Sequence, residues 1–125
     1  MVGTDIVEIK RIERFLEKFG QKALQKFLSE EEIILAKSVQ TIAGFWAAKE
    51  AISKALGLGI SEQCGFFDIM IYKLKSGAPC FTLSPHLIKK FKITALSLSI
   101  AHDGGFAIAI AVIESEIKTE QKLSH

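Results

Sequence analysis

At 125 residues, with 49% apolar and 24% charged side chains, the chain is sized for one folded domain, residues 1–125, and its composition is not that of a disordered protein. Its 16 Lys and Arg against 14 Asp and Glu leave a net charge of +2, which excludes bulk nucleic-acid binding and leaves room only for a local basic surface. Cys64 and Cys80 lack CxxC spacing or a neighbouring His cluster, which argues against structural zinc and a disulfide framework; the longest apolar run, Phe106 to Ile113, is too short to span a bilayer, and no signal-peptide pattern opens the chain, so a cytoplasmic protein with no membrane partner is expected.

The first element is a short strand over residues 2–9, where the apolar Val2, Ile6 and Val7 are interrupted by one acid, Asp5. Ile9, Ile12, Phe15, Leu16 and Phe19 then follow helical spacing, with Lys10, Arg11, Arg14, Glu17 and Lys18 on the other side, until Gly20 offers a stop. A second helical piece covers 21–28, and Ser29 with Glu32 forms a capping box that opens a third, through about Lys37. The longest helix runs from about Gln40 to Leu56, alanine-rich, with Ile42, Phe45, Trp46, Ile52 and Leu56 as its apolar stripe and Gly57 placed to end it. Strands follow over 66–74 and 79–83 around a turn at Lys75-Ser-Gly-Ala. Residues 86–91 read as either a helical turn or a loop. Two more strands, 95–101 and 106–113, flank a tight turn signalled by Asp103-Gly104, and residues 114–125 read as a polar tail. The order predicts an α+β fold with helices packed on one side of an antiparallel sheet.

Few residues in this layout are placed for chemistry. Glu50 and Lys54, spaced i, i+4, lie on one helix face and can meet each other or share a ligand, although such pairs are ordinary on solvated helices. Ala43 and Ala47 on that face leave room for something larger than a side chain. Asp5, inside an apolar strand, needs a cation, a lysine or several donors if buried, and is a plain edge acid if not. Gly57-Leu-Gly lets backbone N–H groups approach a phosphate, though a helix stop explains Gly57 alone. His102 closes the Ser97-Leu-Ser-Ile-Ala strand at the turn, where histidines are commonly just solvated.

The segments Gly3-Thr-Asp-Ile-Val-Glu-Ile, then Phe45-Trp-Ala-Ala-Lys-Glu-Ala-Ile-Ser-Lys-Ala-Leu-Gly-Leu-Gly, then Ser99-Ile-Ala-His, in that order and at those intervals, closely resemble the holo-acyl-carrier-protein synthase family of phosphopantetheinyl transferases. The resemblance covers nearly the whole chain, including Phe67-Asp-Ile and the Gly77-Ala-Pro turn; Lys-Glu-Ala-x-x-Lys is its specific part. It implies the 4′-phosphopantetheinyl transferase fold and, in fatty acid biosynthesis, transfer of 4′-phosphopantetheine from coenzyme A to a serine of apo acyl carrier protein, releasing adenosine 3′,5′-bisphosphate. It further implies that Asp5 and Glu50 hold Mg²⁺, a metal that takes one or two carboxylates, waters and phosphate oxygens. Lys54 is implied to contact the pyrophosphate and aid the leaving group. Lys49 and Ser53 are implied phosphate neighbours, with the alternative that Lys49 lies along apolar surface and reaches out. Gly57, Gly59, Pro79 and His102 are implied to shape the coenzyme A pocket. The proton acceptor stays open between Glu50 and a water.

The family also implies homotrimers with active sites between subunits, and an acidic carrier protein docked on the first helix through Arg11, Arg14 and Lys18. Two departures bear on coenzyme A affinity. Many members have arginine where Phe45 stands, so one phosphate contact is lost or supplied elsewhere, and Leu58 replaces a frequent threonine. The rival reading is a non-catalytic module that binds a nucleotide or an acidic protein without turnover, in which Asp5 and Glu50 are dispensable.

Overall fold

The computed structural model describes residues 1–117. Its elements run β1 (Val2–Glu8), α1 (Ile9–Phe19), α2 (Gln21–Gln25), α3 (Glu30–Leu35), α4 (Val39–Ala55), a single 3₁₀ turn (Phe66–Asp68), β2 (Ile69–Lys73), β3 (Pro79–Leu83), α5 (Pro85–Phe91), β4 (Ile93–Asp103) and β5 (Phe106–Ser115). The α+β expectation holds. The strands form two antiparallel sheets where one was expected: a three-stranded sheet ordered β1-β5-β4 and a separate β2-β3 hairpin.

Local chemistry accounts for most boundaries. The Gly20 N–H bonds the Leu16 carbonyl at φ 63°, ending α1. Ser29 and Glu32 form the capping box of α3, and the Ser38 hydroxyl accepts the Thr41 N–H to start α4. Pro85 at the first position of α5 resolves the choice between helix and loop in favour of a helix. The β4–β5 hairpin turns on Gly104 and Gly105, one residue later than the Asp103-Gly104 signal, because both central positions carry positive φ, 56° and 85°. Strand β5 continues to Ser115, since Glu114 and Ser115 pair with Ala95 and Ile93; these two are strand and not tail. The rest of the expected tail from 118 on lies outside the described residues.

Helix α4 is central, packed on one face of the three-stranded sheet. Small residues set that contact: Ala43, Ala47, Ala51 and Ala55 on the helix, and Ala107, Ala109 and Ala111 from β5, are all buried. The space that Ala43 and Ala47 were expected to leave for a ligand is filled by the protein's own core. Gly3 makes the closest approach, since a Cβ there would stand 1.9 Å from the Ala51 carbonyl oxygen. The other face of the sheet is bare, with Val2, Ile6, Phe106, Ile110 and Val112 between 37% and 64% exposed.

Lys49 points the opposite way from the expected phosphate or surface: it is wholly buried. Its ammonium donates to Glu32 Oε1 at 2.7 Å, to the Phe27 carbonyl at 2.8 Å and to the Phe66 carbonyl at 2.9 Å. Glu32 is equally buried, and its second oxygen accepts the Ile71 N–H at 2.8 Å. Burial pulls the Lys49 amine below its ordinary range, and the bond and charge of Glu32 oppose that pull. The network ties the end of α2, α3, α4, the 3₁₀ turn and β2 together with every ammonium donor used. Lys49→Met, which strands the Glu32 carboxylate, is expected to cost about 3–5 kcal/mol in urea unfolding, and adding Glu32→Gln to recover part of it, because an amide is cheaper to bury unpaired than a charge. A single-variant loss within about 1 kcal/mol would contradict this reading.

Candidate active site

Strand β1 is an edge strand whose residues alternate between the bare face and α4, and Gly3, Asp5 and Val7 face the helix. Because Gly3 lets β1 lie directly on α4, Asp5, two residues on, arrives beside the last turns of that helix. Lys54 donates from there to Asp5 Oδ1 at 2.8 Å and to the Thr4 carbonyl at 3.3 Å. The i, i+4 spacing therefore does not pair Lys54 with Glu50; the lysine bridges to the strand. The bond to Asp5 comes first among the causes that raise the Lys54 ammonium above its ordinary range.

Glu50 is half-buried one turn earlier. Its carboxyl is pushed above the usual range, first by burial and then by the negative charge of Asp5, while Lys54 and Arg11 pull it back. Asp5 and Glu50 thus share one electrostatic neighbourhood at the meeting of β1, α1 and α4. Among the described residues no cluster of three or more His, Cys, Asp and Glu forms. Two carboxylates in one electrostatic neighbourhood, without His or Cys beside them, suit Mg²⁺, which also takes water and phosphate oxygens, and not a zinc site built from protein ligands.

The other expected site residues divide into three groups. Lys49 is locked in the core, as described, and Ser53 is buried with its hydroxyl donated to the Glu50 carbonyl at 2.7 Å; neither reaches the Asp5 side of the helix. Gly57 and Gly59 have positive φ, but the N–H groups of residues 57, 58 and 59 bond the Lys54 and Ser53 carbonyls at the helix end. Those amides close α4 and are not free for a phosphate, because the last helical carbonyls claim them.

Pro79 and His102 line a cleft of about 130 Å³ with Thr41, Gly44, Phe45 and Lys73. Its helical wall is the start of α4, ten residues before Lys54, so roughly 15 Å along the axis separates it from the Asp5 pair. Within the chain these two regions stay apart. The His102 Nε2 lies 2.8 Å from the Gln40 carbonyl, which can only accept, so Nε2 carries the proton. Gly44 leaves space for that ring, as a Cβ there would stand 3.2 Å from Nε2 and 2.9 Å from Ile100 Cγ2. Phe45, the departure from arginine, is buried and serves the core.

Arg11, Arg14 and Lys18 do assemble, lining a surface cleft of about 330 Å³ with Phe15, Phe19 and Trp46. Arg11 lies 6.0 Å from the Trp46 ring centre while contributing positive charge at Glu50, so it belongs to both regions. Sequence reasoning missed Glu32, Gly44 and Lys73. An isolated glycine inside a helical pattern was a signal for Gly44; nothing local marked Glu32 beyond its capping role.

Comparison with known proteins agrees with the motifs. A model of the 4′-phosphopantetheinyl transferase superfamily matches residues 1–111. The chain is 56% identical over 115 residues to the holo-[acyl-carrier-protein] synthase of Sulfurovum sp., covering 92% of this chain and 97% of that one. Its fold is similar to the crystal structure of Helicobacter pylori holo-[acyl-carrier-protein] synthase in complex with coenzyme A, with TM-score 0.88, 49% identity and coverage of 91% and 100%. It is also similar to the Neisseria meningitidis synthase, with TM-score 0.83, 36% identity and coverage of 91% and 97%.

The raised Glu50 carboxyl has a stability consequence. An acid whose folded pKa lies above its unfolded value favours the fold below the unfolded value and loses that contribution as pH rises through the folded one. Glu50→Gln is therefore expected to raise the melting temperature of the metal-free protein at pH 7, with the gain vanishing near pH 4; an equal gain at both would rule out the charge as its cause.

Proposed function

Because the chain belongs to the 4′-phosphopantetheinyl transferase superfamily, we propose that the Asp5–Glu50–Lys54 cluster is where it transfers 4′-phosphopantetheine from coenzyme A to a serine of apo acyl carrier protein. The observation that carries the site is the convergence of two mutually repelling carboxylates and one lysine from β1 and α4. The serine oxygen forms a bond to the β-phosphorus, the pyrophosphate bond breaks, and adenosine 3′,5′-bisphosphate departs with the added negative charge.

Asp5 and Glu50 would hold Mg²⁺, which when bound would neutralise pyrophosphate charge and orient it. Lys54, half-exposed on a flexible stem, reaches from Asp5 to the leaving phosphate and offsets or protonates its charge. The serine proton passes to Glu50 or to a water beside it. Arg11, Arg14 and Lys18 attract the acidic carrier protein, while Phe15, Phe19 and Trp46 between them offer apolar contact. Arg11, next to Trp46 and contributing charge at Glu50, links the docking surface to the Asp5–Glu50–Lys54 cluster.

The working unit is a homotrimer in the cytoplasm. Two features support self-association: the bare apolar face of the β1-β5-β4 sheet, and the separation in one protomer of the Pro79/His102 cleft from the acids. A neighbour's cleft beside one protomer's acids gives a single coenzyme A both its nucleotide pocket and its pyrophosphate site.

Incubation with coenzyme A, Mg²⁺ and apo carrier protein is expected to add one phosphopantetheine group to the carrier by intact mass. Asp5→Ala and Glu50→Ala are expected to lose on the order of 10²-fold or more of that rate with the fold retained, and full activity in both removes the site assignment. Light scattering is expected to report three chains, and Ile110→Glu on the bare face fewer; a wild-type monomer at micromolar concentration overturns the trimer.

A further inference from the structure

We infer that Lys54 is a seat-holder: in the metal-free protein its ammonium occupies the cation position on Asp5, so that a divalent ion and the Lys54–Asp5 bond exclude one another until pyrophosphate draws the lysine away. The inference rests on the reading of Asp5 and Glu50 as the metal ligands and adds to it an order of events.

Asp5 is enclosed, with 15% of its side chain exposed, while Lys54 keeps 51%. An acid that far out of water requires a compensating positive charge, and the ammonium supplies it at 2.8 Å from Oδ1. A second bond, to the Thr4 carbonyl at 3.3 Å, fixes the ammonium against the backbone of β1, so its position is held by two acceptors and not by charge alone. The charge of Glu50 also acts on the Lys54 ammonium. The lysine thus sits within the field of both acids that a divalent ion would use.

A small divalent ion bonded to Asp5 stands about 2.1 Å from its oxygen, which places it roughly 3–5 Å from an ammonium bonded to the same carboxylate. Like charges at that distance repel with twice the strength of two unit charges, in surroundings drier than bulk water. Arrival of the ion therefore weakens the hold of Asp5 on the ammonium and favours its departure. Its long stem and half-exposed position allow that swing, and the pyrophosphate of coenzyme A is the anion that receives it. In the metal-free site the charge of Asp5 is consequently balanced by the chain's own lysine, and the ion and the pyrophosphate displace it jointly. Lys54 has two successive positions, on Asp5 before binding and on phosphate after.

The test is calorimetric titration of Mn²⁺ into the metal-free protein without coenzyme A, so that its reading does not depend on turnover. Lys54→Met keeps the stem and removes the charge at an exposed position, and circular dichroism checks that the fold is kept. The wild type is expected to bind weakly and Lys54→Met about three- to tenfold more tightly, with Asp5→Asn abolishing binding in both backgrounds. Equal affinities for wild type and Lys54→Met, with Asp5→Asn still abolishing binding, overturn the seat-holder and leave the metal site standing. Binding unaffected by Asp5→Asn, or none in any variant even with coenzyme A present, overturns the metal site and the inference with it.

Discussion

The bond between the Lys49 ammonium and the Glu32 carboxylate sets the orientation on which the rest of the molecule depends. It is buried at both ends, and each end is satisfied by further backbone groups. Successive helical residues point about 100° apart, so directing Lys49 inward sends its neighbour Glu50 toward β1 and α1. A lysine with three fixed acceptors tolerates little rotation of α4. The adjacent residues Lys49 and Glu50 are therefore placed oppositely: one is enclosed and fixes the helix, the other is left half-buried near Asp5.

A second constraint is the absence of side-chain bulk between α4 and the sheet. Gly3 and the alanines of β5 and α4 bring backbone close to backbone, and that closeness carries Asp5 to Glu50 and Lys54. Close packing holds the two acids at a separation that is unfavourable without a cation. The protein keeps charge repulsion at this one place, consistent with the opposition between stability and activity common in catalytic sites. The remainder of the core is apolar or fully bonded; among the described residues no buried side-chain polar atom lacks a partner.

The two ends of α4 serve different surfaces. Its first turns form a cleft with His102, Lys73 and Pro79, and its last turns meet Asp5. Between them the helix is enclosed, so a ligand long enough to need both surfaces cannot thread through the protomer. The separation of the two surfaces and the bare apolar face of the sheet are the two observations on which the proposed sharing of a site between copies rests.

Residue order by itself determined the helices and strands, through apolar spacing, the capping box at Ser29, and Gly20 and Gly57 as stops, and it determined the family, through the Lys-Glu-Ala-x-x-Lys segment. It also singled out Asp5, Glu50 and Lys54 as the candidate site residues. Only the tertiary structure decided which charge faces where. Lys49 and Lys54 are the same residue type on the same helix, yet one is buried against Glu32 and the other bridges to Asp5, because their partners lie 17 and 49 positions away. The division into two sheets and the capture of the residue 57–59 amides by helical carbonyls were likewise decided by folding. Local pattern reports which face of an element is apolar; the partner of a buried charge is set by elements far along the chain that close on it.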